Sequence, residues 1–197
     1  MEKTNNFHEY VYPVIILTVI AFVATLLLAL TNMVSAPVIA KNSAARADAT
    51  RKEVLADGDS FAPVQGLTDS DLAKSSDGKA SIESTDDVQA AANGAGYVMT
   101  VHTTSFGGDL TMMVGIDKKG AVTGVKVTDH SDTPGVGTKD QADDYLAQYV
   151  GKTELTSPLN VKKEKDFQYI SGASVSGTAI HRGVGVALDE YKTVAGK

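Results

Sequence analysis

No cysteine occurs in the 197 residues, which removes iron–sulfur clusters, thiolate zinc sites, thiol catalysis and disulfides together. A redox role would therefore fall to a bound organic cofactor. Metal-ligand spacing is missing too: His8, His102, His130 and His181 are scattered, and none belongs to an HExxH or similar pattern. Positive charge is scarce. With 18 Lys and Arg against 24 Asp and Glu, the formal charge is −6 and the pI about 5.1. The chain carries no basic stripe of the kind that a nucleic-acid surface requires. Between Tyr10 and Ala40 there is no charged residue at all.

That charge-free stretch is long enough to cross a bilayer. Its densest part, 14–30, is interrupted only by Thr18 and Thr25, whose hydroxyls can bond back onto the preceding helical turn. Pro13 stands where a helix start tolerates it. A cleavable signal peptide would have an apolar region of about 7–15 residues ending in a small-x-small site. Here the run is longer, and Val34-Ser35-Ala36 is followed by Pro37. The pattern reads as an uncleaved transmembrane signal-anchor over 11–34, preceded by a short cytoplasmic segment, 1–10. The remaining length holds one domain of ordinary size.

A helical stalk is expected over 35–60, with Ala45, Ala49, Lys52 and Glu53 at helical offsets and Asp57-Gly58 as its breaker. Residues 68–96 have few large apolar side chains and read as surface loops around short strands. The alternation of Tyr97, Met99 and Val101 with Val98, Thr100 and His102 marks a strand. Leu110, Met112, Val114 and Ile116 mark a second, and 122–127 a third returning through Asp117-Lys118-Lys119-Gly120. Thr138 is placed to cap a helix of about three turns with Ala142, Tyr145, Leu146, Tyr149 and Val150 on its inner face. Tyr145 and Tyr149 are read as core residues. Short strands are expected from Leu159 and Val161 and over 167–170. A final helix follows, with Ile180, Val184, Leu188 and Tyr191 on one face and His181 and Arg182 towards solvent. The fold class is α+β: one N-terminal transmembrane helix, then a single domain, 61–197, of antiparallel sheet and packed helices.

Two short segments carry the chemistry. The first, Asp132-Thr133-Pro134-Gly135-Val136-Gly137, presets a type II turn through Pro-Gly; an ordinary loop would look much the same. The second, Ser171-Gly172-Ala173-Ser174, precedes the last helix, whose first N–H groups around Val175, Ser176 and Gly177 have no partner within the helix and suit a phosphate. Gly172 and Ala173 leave the main chain open to a bulky anion, and Ser174 places a hydroxyl there. Either serine could instead be an N-cap without a ligand.

Asp166 followed by Ser-Gly-Ala-Ser resembles the flavinylation motif of FMN-binding domains. The 132–137 segment resembles the same family's acidic residue followed by Thr-Pro-Gly-Leu-Gly, with Asp132 for Glu and Val136 for Leu. The whole chain resembles the G subunit of Rnf ferredoxin:NAD oxidoreductases and, more distantly, the C subunit of sodium-translocating NADH:quinone reductases. The resemblance implies one covalent FMN per chain, attached by phosphoester to Ser174 where the family more often has Thr. Ser171, Gly172, Ala173, Val175, Ser176, Thr133, Pro134 and Gly135 would lie around the cofactor. It further implies an electron-carrying subunit in a membrane complex that couples ferredoxin and NAD to ion transport, with the other subunits and a flavin transferase as partners and no nucleic acid. An independent extracytoplasmic flavoprotein and a flavin-free anchored domain are the alternatives.

Orientation sets the two lines of reasoning against each other. Lys41, Arg46, Arg51 and Lys52 follow the span and only Lys3 precedes it, so the positive-inside rule alone leaves the domain in the cytoplasm. The resemblance puts it on the extracytoplasmic side. On that expectation, protease added to intact spheroplasts removes the domain; protection until lysis would show that the charge count decides.

Overall fold

The computed structural model describes residues 11–196; the expected cytoplasmic segment 1–10 lies outside them. The chain divides into two compact units, one ending at Ala47 and the other beginning at Asp48. The first consists of most of helix α1, Tyr12–Val54, which is long and apolar enough to cross a membrane. Thr18, Thr25 and Thr31 donate their hydroxyls to the carbonyls of Val14, Ala21 and Leu27 at 2.8–2.9 Å, so these side chains place no unsatisfied donor on an apolar surface. The helix continues through Pro37.

The second unit is an antiparallel sheet with one long helix against it. The strands are β1 (Phe61–Pro63), β2 (Ala80–Ser81), β3 (Val88–Ala91), β4 (Gly96–Thr104), β5 (Asp109–Asp117) and β6 (Val122–His130). They run in the order β1-β3-β4-β5-β6, with β2 paired to the far end of β4. The expected meander is therefore β4 to β6, and Gly120 takes the positive φ of +85° that its turn needs. Leu110, Met112, Val114 and Ile116 form one fully buried face of β5, against which helix α3 (Ser174–Ala195) packs. Leu72, Ile82 and Val88, from the region read as surface loops, also enter this core.

On the opposite face of β5, Gly115 pairs with Gly124 of β6 and makes a flat seat for the last residue of α1. A Cβ on Gly115 would lie 2.2 Å from the Val54 carbonyl oxygen, and one on Gly124 2.8 Å from Val54 Cα. Thr123 donates its hydroxyl to the same carbonyl, and Lys126 bridges Glu53 and Asp143 at 2.8 and 2.9 Å.

Three expected elements are different. The helix over 142–150 is instead a 3-10 turn at Gly137–Gln141, one α-turn, α2 (Asp143–Leu146), and another 3-10 turn at Ala147–Tyr149. The chain is drawn back to the sheet, where Gly151 N–H donates to the Val122 carbonyl and Val122 N–H to that of Lys152. Tyr145, Leu146 and Tyr149 are buried as read, whereas Ala142 and Val150 are exposed. Thr138 does not cap a helix; its hydroxyl accepts from Gly135 N–H. No strand forms from Leu159 and Val161, because the Asn160 side chain accepts from Lys162 N–H and closes a 3-10 turn, Val161–Lys163. Nor does one form over 167–170: Gln168 N–H turns to the Gln148 side chain, and Phe167 packs on Tyr149 at 4.9 Å.

Gly115→Ala is expected to lift Val54 off the sheet and to destabilise the detergent-solubilised chain by about 1–3 kcal/mol, the usual cost of overpacking, measured by urea unfolding.

Candidate functional site

The 132–137 loop is held from inside. Asp132 is buried, accepting from the Ser105 hydroxyl at 2.7–2.8 Å, from Gly107 N–H at 2.9 Å and from the Gln141 amide at 3.3 Å. With its acid tethered, the loop turns through Pro134-Gly135. Gly135 has φ +75°, and the Val136 and Gly137 N–H groups both donate to the Thr133 carbonyl, the first as in a type II turn and the second one residue further on. Gly137 must be glycine for a different reason: its Cβ would meet Asp132 Cβ and Ser176 Oγ at 2.9 Å each. The loop therefore lies flush against the first turn of α3.

That first turn begins as the sequence suggests. Ala173 N–H closes a turn onto the Ile170 carbonyl, Gly172 has φ +90°, and α3 starts at Ser174. The N-cap is Ala173, which makes no side-chain cap, so neither Ser171 nor Ser174 plays that role. The N–H groups of Ser174, Val175 and Ser176 precede the first i to i−4 bond, which Gly177 N–H makes to the Ala173 carbonyl.

Two neighbouring recesses open here and share Val175. One, of about 260 Å³, is lined by Phe106, Asp132, Thr133, Val136, Gly137, Gly172, Ala173, Val175 and Ser176, which brings the two motif segments together. The other, of about 330 Å³, contains Ser174 together with Lys79, Thr104, Ser105, Leu159, Asn160, Lys162, Thr178 and Arg182. Thus Thr133, Gly172, Ala173, Val175 and Ser176 meet in one recess, Ser174 stands in the adjoining one, and Pro134, Gly135 and Ser171 line neither. Exposed apolar side chains line them: Phe106 and Val136 the first, Leu159 the second and Val175 both.

The cations of the second recess were not legible as a cluster, since Lys79, Lys162 and Arg182 are far apart in sequence. Arg182 was expected in solvent but is only 8% exposed; it pairs with Asp77 at 3.0 Å and leaves its Nε without a hydrogen-bond partner among the described residues. His181, also expected outside, is fully buried, between Tyr149, Phe167 and Glu164. The reason is that α3 is covered on several sides at once. Its three early glycines allow this: a Cβ at Gly177 would meet Asp140 and Tyr145, one at Gly183 would meet Met112, and one at Gly185 would meet Pro158. Burial lowers the His181 pKa although Glu164 beside it pulls the other way. Glu164 is held below its usual range because hydrogen bonds from Thr156 and Ser157 outweigh its burial.

Behind Gly177 sits a residue that sequence reasoning missed. Asp140 is fully buried, and neither carboxylate oxygen makes a hydrogen bond of normal geometry among the described residues. The Tyr145 hydroxyl and the Gln148 amide nitrogen nearby are also unpartnered there. Burial pushes Asp140 up to about 6; the Asp132 charge adds to this, and the Gly177 amide opposes it. Burial likewise pushes Tyr145 up to about 12.

A carboxyl whose folded pKa lies above its unfolded value of 3.8 binds more protons when folded. Its ionisation therefore removes stability as the pH rises through that window towards about 6. Asp140→Asn, which cannot ionise, is expected to melt higher than the wild type above about pH 6 and to lose that advantage below 3.8. Melting curves across pH test this.

Residues 105–189 match the family described as FMN-binding domain. Over most of its length the chain is similar to the G subunit of the proton-translocating ferredoxin:NAD(+) oxidoreductase complex of Clostridium ljungdahlii, with 24% identity over 91% of this chain and 90% of that protein. It is similar also to the G subunit of the Na(+)-translocating ferredoxin:NAD(+) oxidoreductase complex of Acetobacterium woodii, with 28% identity over 92% of this chain and 91% of that protein. The crystal structure of Shewanella oneidensis NqrC aligns with a TM-score of 0.47 at 19% identity, covering 70% of this chain and 76% of that one. The match to that family spans residues 105–189, where both recesses have most of their walls.

Proposed function

We propose that this chain is the membrane-anchored electron-transfer subunit of an ion-translocating ferredoxin:NAD oxidoreductase complex and carries one FMN bound through its phosphate to Ser174. The observation that carries the reading is the meeting of the 132–137 loop with the first turn of α3, beside a recess that holds Ser174 and three cations. The names of the two oxidoreductase relatives support the complex and the electron-transfer role.

The residues fit a phosphodiester. Unpaired N–H groups of the first helical turn and the positive end of its dipole face an anion at this position. Arg182, which lines the recess and pairs with Asp77 at 3.0 Å, supplies a planar guanidinium where a lone lysine would supply only a point charge. Phe106, Val136, Leu159 and Val175 offer apolar surface for a planar ring. FMN supplies the electron-carrying chemistry; Ser174 fixes its position, and the Asp132-anchored loop keeps the adjoining recess in shape. Attachment requires a flavin transferase: an O–P bond forms at Ser174 Oγ as the diphosphate bond of FAD breaks, AMP leaves and the serine proton passes to solvent. The same reading assigns 1–10 to the cytoplasm, 11–34 to the membrane, 35–60 to a juxtamembrane stalk and 61–197 to the extracytoplasmic FMN-binding domain. Other integral and peripheral subunits are the partners.

Because Ser174 makes no cap, removing its hydroxyl should cost less than the 0.5–2 kcal/mol or so that loss of a true N-cap costs. Co-expressed with a transferase, the wild type and Ser174→Thr are expected to keep in-gel flavin fluorescence after denaturation, and Ser174→Ala to lose it while still folding. Peptide mapping should place the flavin on Ser174; flavin on Ser171, Ser176 or Thr178 would keep the function and refute the site.

A further inference from the structure

Asp140 has no part in attachment, yet it is fully buried beside the site. It is an acid with no exposed surface, unpaired oxygens and no ion pair among the described residues. A buried charge of that kind is normally paired or replaced by a neutral group. Its position links it to the recess. Asp132 and Ser176 line the recess and close over Gly137, and the residue after Ser176 is Gly177, where a Cβ would lie 2.9 Å from Asp140 Oδ2 and 3.1 Å from the Tyr145 hydroxyl. Negative charge arriving in the recess therefore acts on Asp140 through packed protein, where such interactions are stronger than in water.

The groups facing Asp140 do not offset that charge. Asp132 faces it from the preceding loop, Tyr145 from α2, Tyr149 from the following 3-10 turn, and the Gly177 amide from α3. His181, one turn along α3, is engaged by Tyr149 and Glu164. Lys126 of β6, which pairs with Asp143 of α2, is also committed to Glu53.

We propose that Asp140 is the redox-linked proton site of this domain: its carboxylate takes up a proton when an electron enters the recess and releases it when the electron leaves. The inference rests on the reading that FMN is attached at Ser174. For each turn, a one-electron donor protein loses one electron and the flavin gains it. One proton comes from solvent and one O–H bond forms on Asp140; no bond to the flavin is made or broken. Neutralising the carboxylate offsets the added charge, so the potential of the site depends on pH through this residue. The geometry calls for a group poised to change state, and the elevated Asp140 pKa of about 6 fits such a group.

The experiment compares the full wild-type chain and Asp140→Asn, both solubilised in detergent with attached flavin verified by in-gel fluorescence. Potentials are measured by spectroelectrochemical titration on both sides of pH 6, and redox difference infrared spectra are recorded on the wild type. The expected result is that the two potentials coincide at low pH and that the wild type falls progressively below the variant above about pH 6. Reduction of the wild type there should also produce the carbonyl band of a protonated carboxylic acid, absent in the variant. Parallel potentials at every pH, with no acid band in the flavin-loaded wild type, would overturn the proposal and leave the flavin reading intact. Failure of the wild type to attach flavin despite an active transferase would overturn both; failure of the variant alone would overturn the proposal by giving Asp140 a part in attachment. A purely structural role for Asp140 would change stability without producing the infrared band.

Discussion

Close approach to the last helix is the constraint on which the domain depends. Gly177, Gly183 and Gly185 remove side chains at three positions around α3, and Asp140 with Tyr145, Met112 and Pro158 occupy the space. A glycine in a helix interior costs up to about 1 kcal/mol relative to alanine, so three of them weaken the helix taken alone. Burial restores what they cost: Ile180, Val184 and Ala187 are fully enclosed, and so is His181. A helix held in this way has a fixed first turn. The N–H groups of that turn and the hydroxyl of Ser174 then occupy defined positions before any ligand arrives, which is the preorganisation that binding requires.

The site built on that turn is divided electrostatically. Lys79, Lys162 and Arg182 stand around Ser174, while Asp132 lines the adjoining recess and Asp140 lies behind it. Ser105 joins the halves, lining the basic recess while its hydroxyl holds Asp132. A phosphate favours the first environment. The second penalises negative charge, so a redox group there meets a setting in which its own charge matters. Two recesses with opposite electrostatic character suit a ligand with a phosphate at one end and a redox-active ring at the other.

Much of the organisation was legible because it depends on local pattern. An uncharged apolar run of membrane-crossing length is a helix wherever the chain places it, since water cannot satisfy its backbone within a bilayer. Alternation over 97–101 and 110–116 marks strands because successive side chains point to opposite faces. Pro134-Gly135 and Asp117 to Gly120 form turns because proline presets φ and glycine accepts positive φ. The segments around Thr133 and Ser174 were singled out by their resemblance to a family's motifs, and residues of both line one recess while Ser174 stands in the next.

What the sequence by itself determined, then, was each element with one dominant buried face and each turn forced by glycine or proline. Tertiary structure decided the rest, because the second and third faces of an element are set by neighbours distant in the chain. His181 and Arg182 read as solvent-facing when only the Ile180, Val184 and Leu188 stripe was counted, although the glycines already signalled contact on other sides. Residues 159–161 and 167–170 had strand-like composition, but a strand exists only through its ladder, and here Asn160 captures the N–H of Lys162 locally and Gln148, twenty residues away, that of Gln168. Asp140 reads as one more surface acid in a charged stretch. Only the packing of α3 over it removed its water and made it a group whose protonation matters.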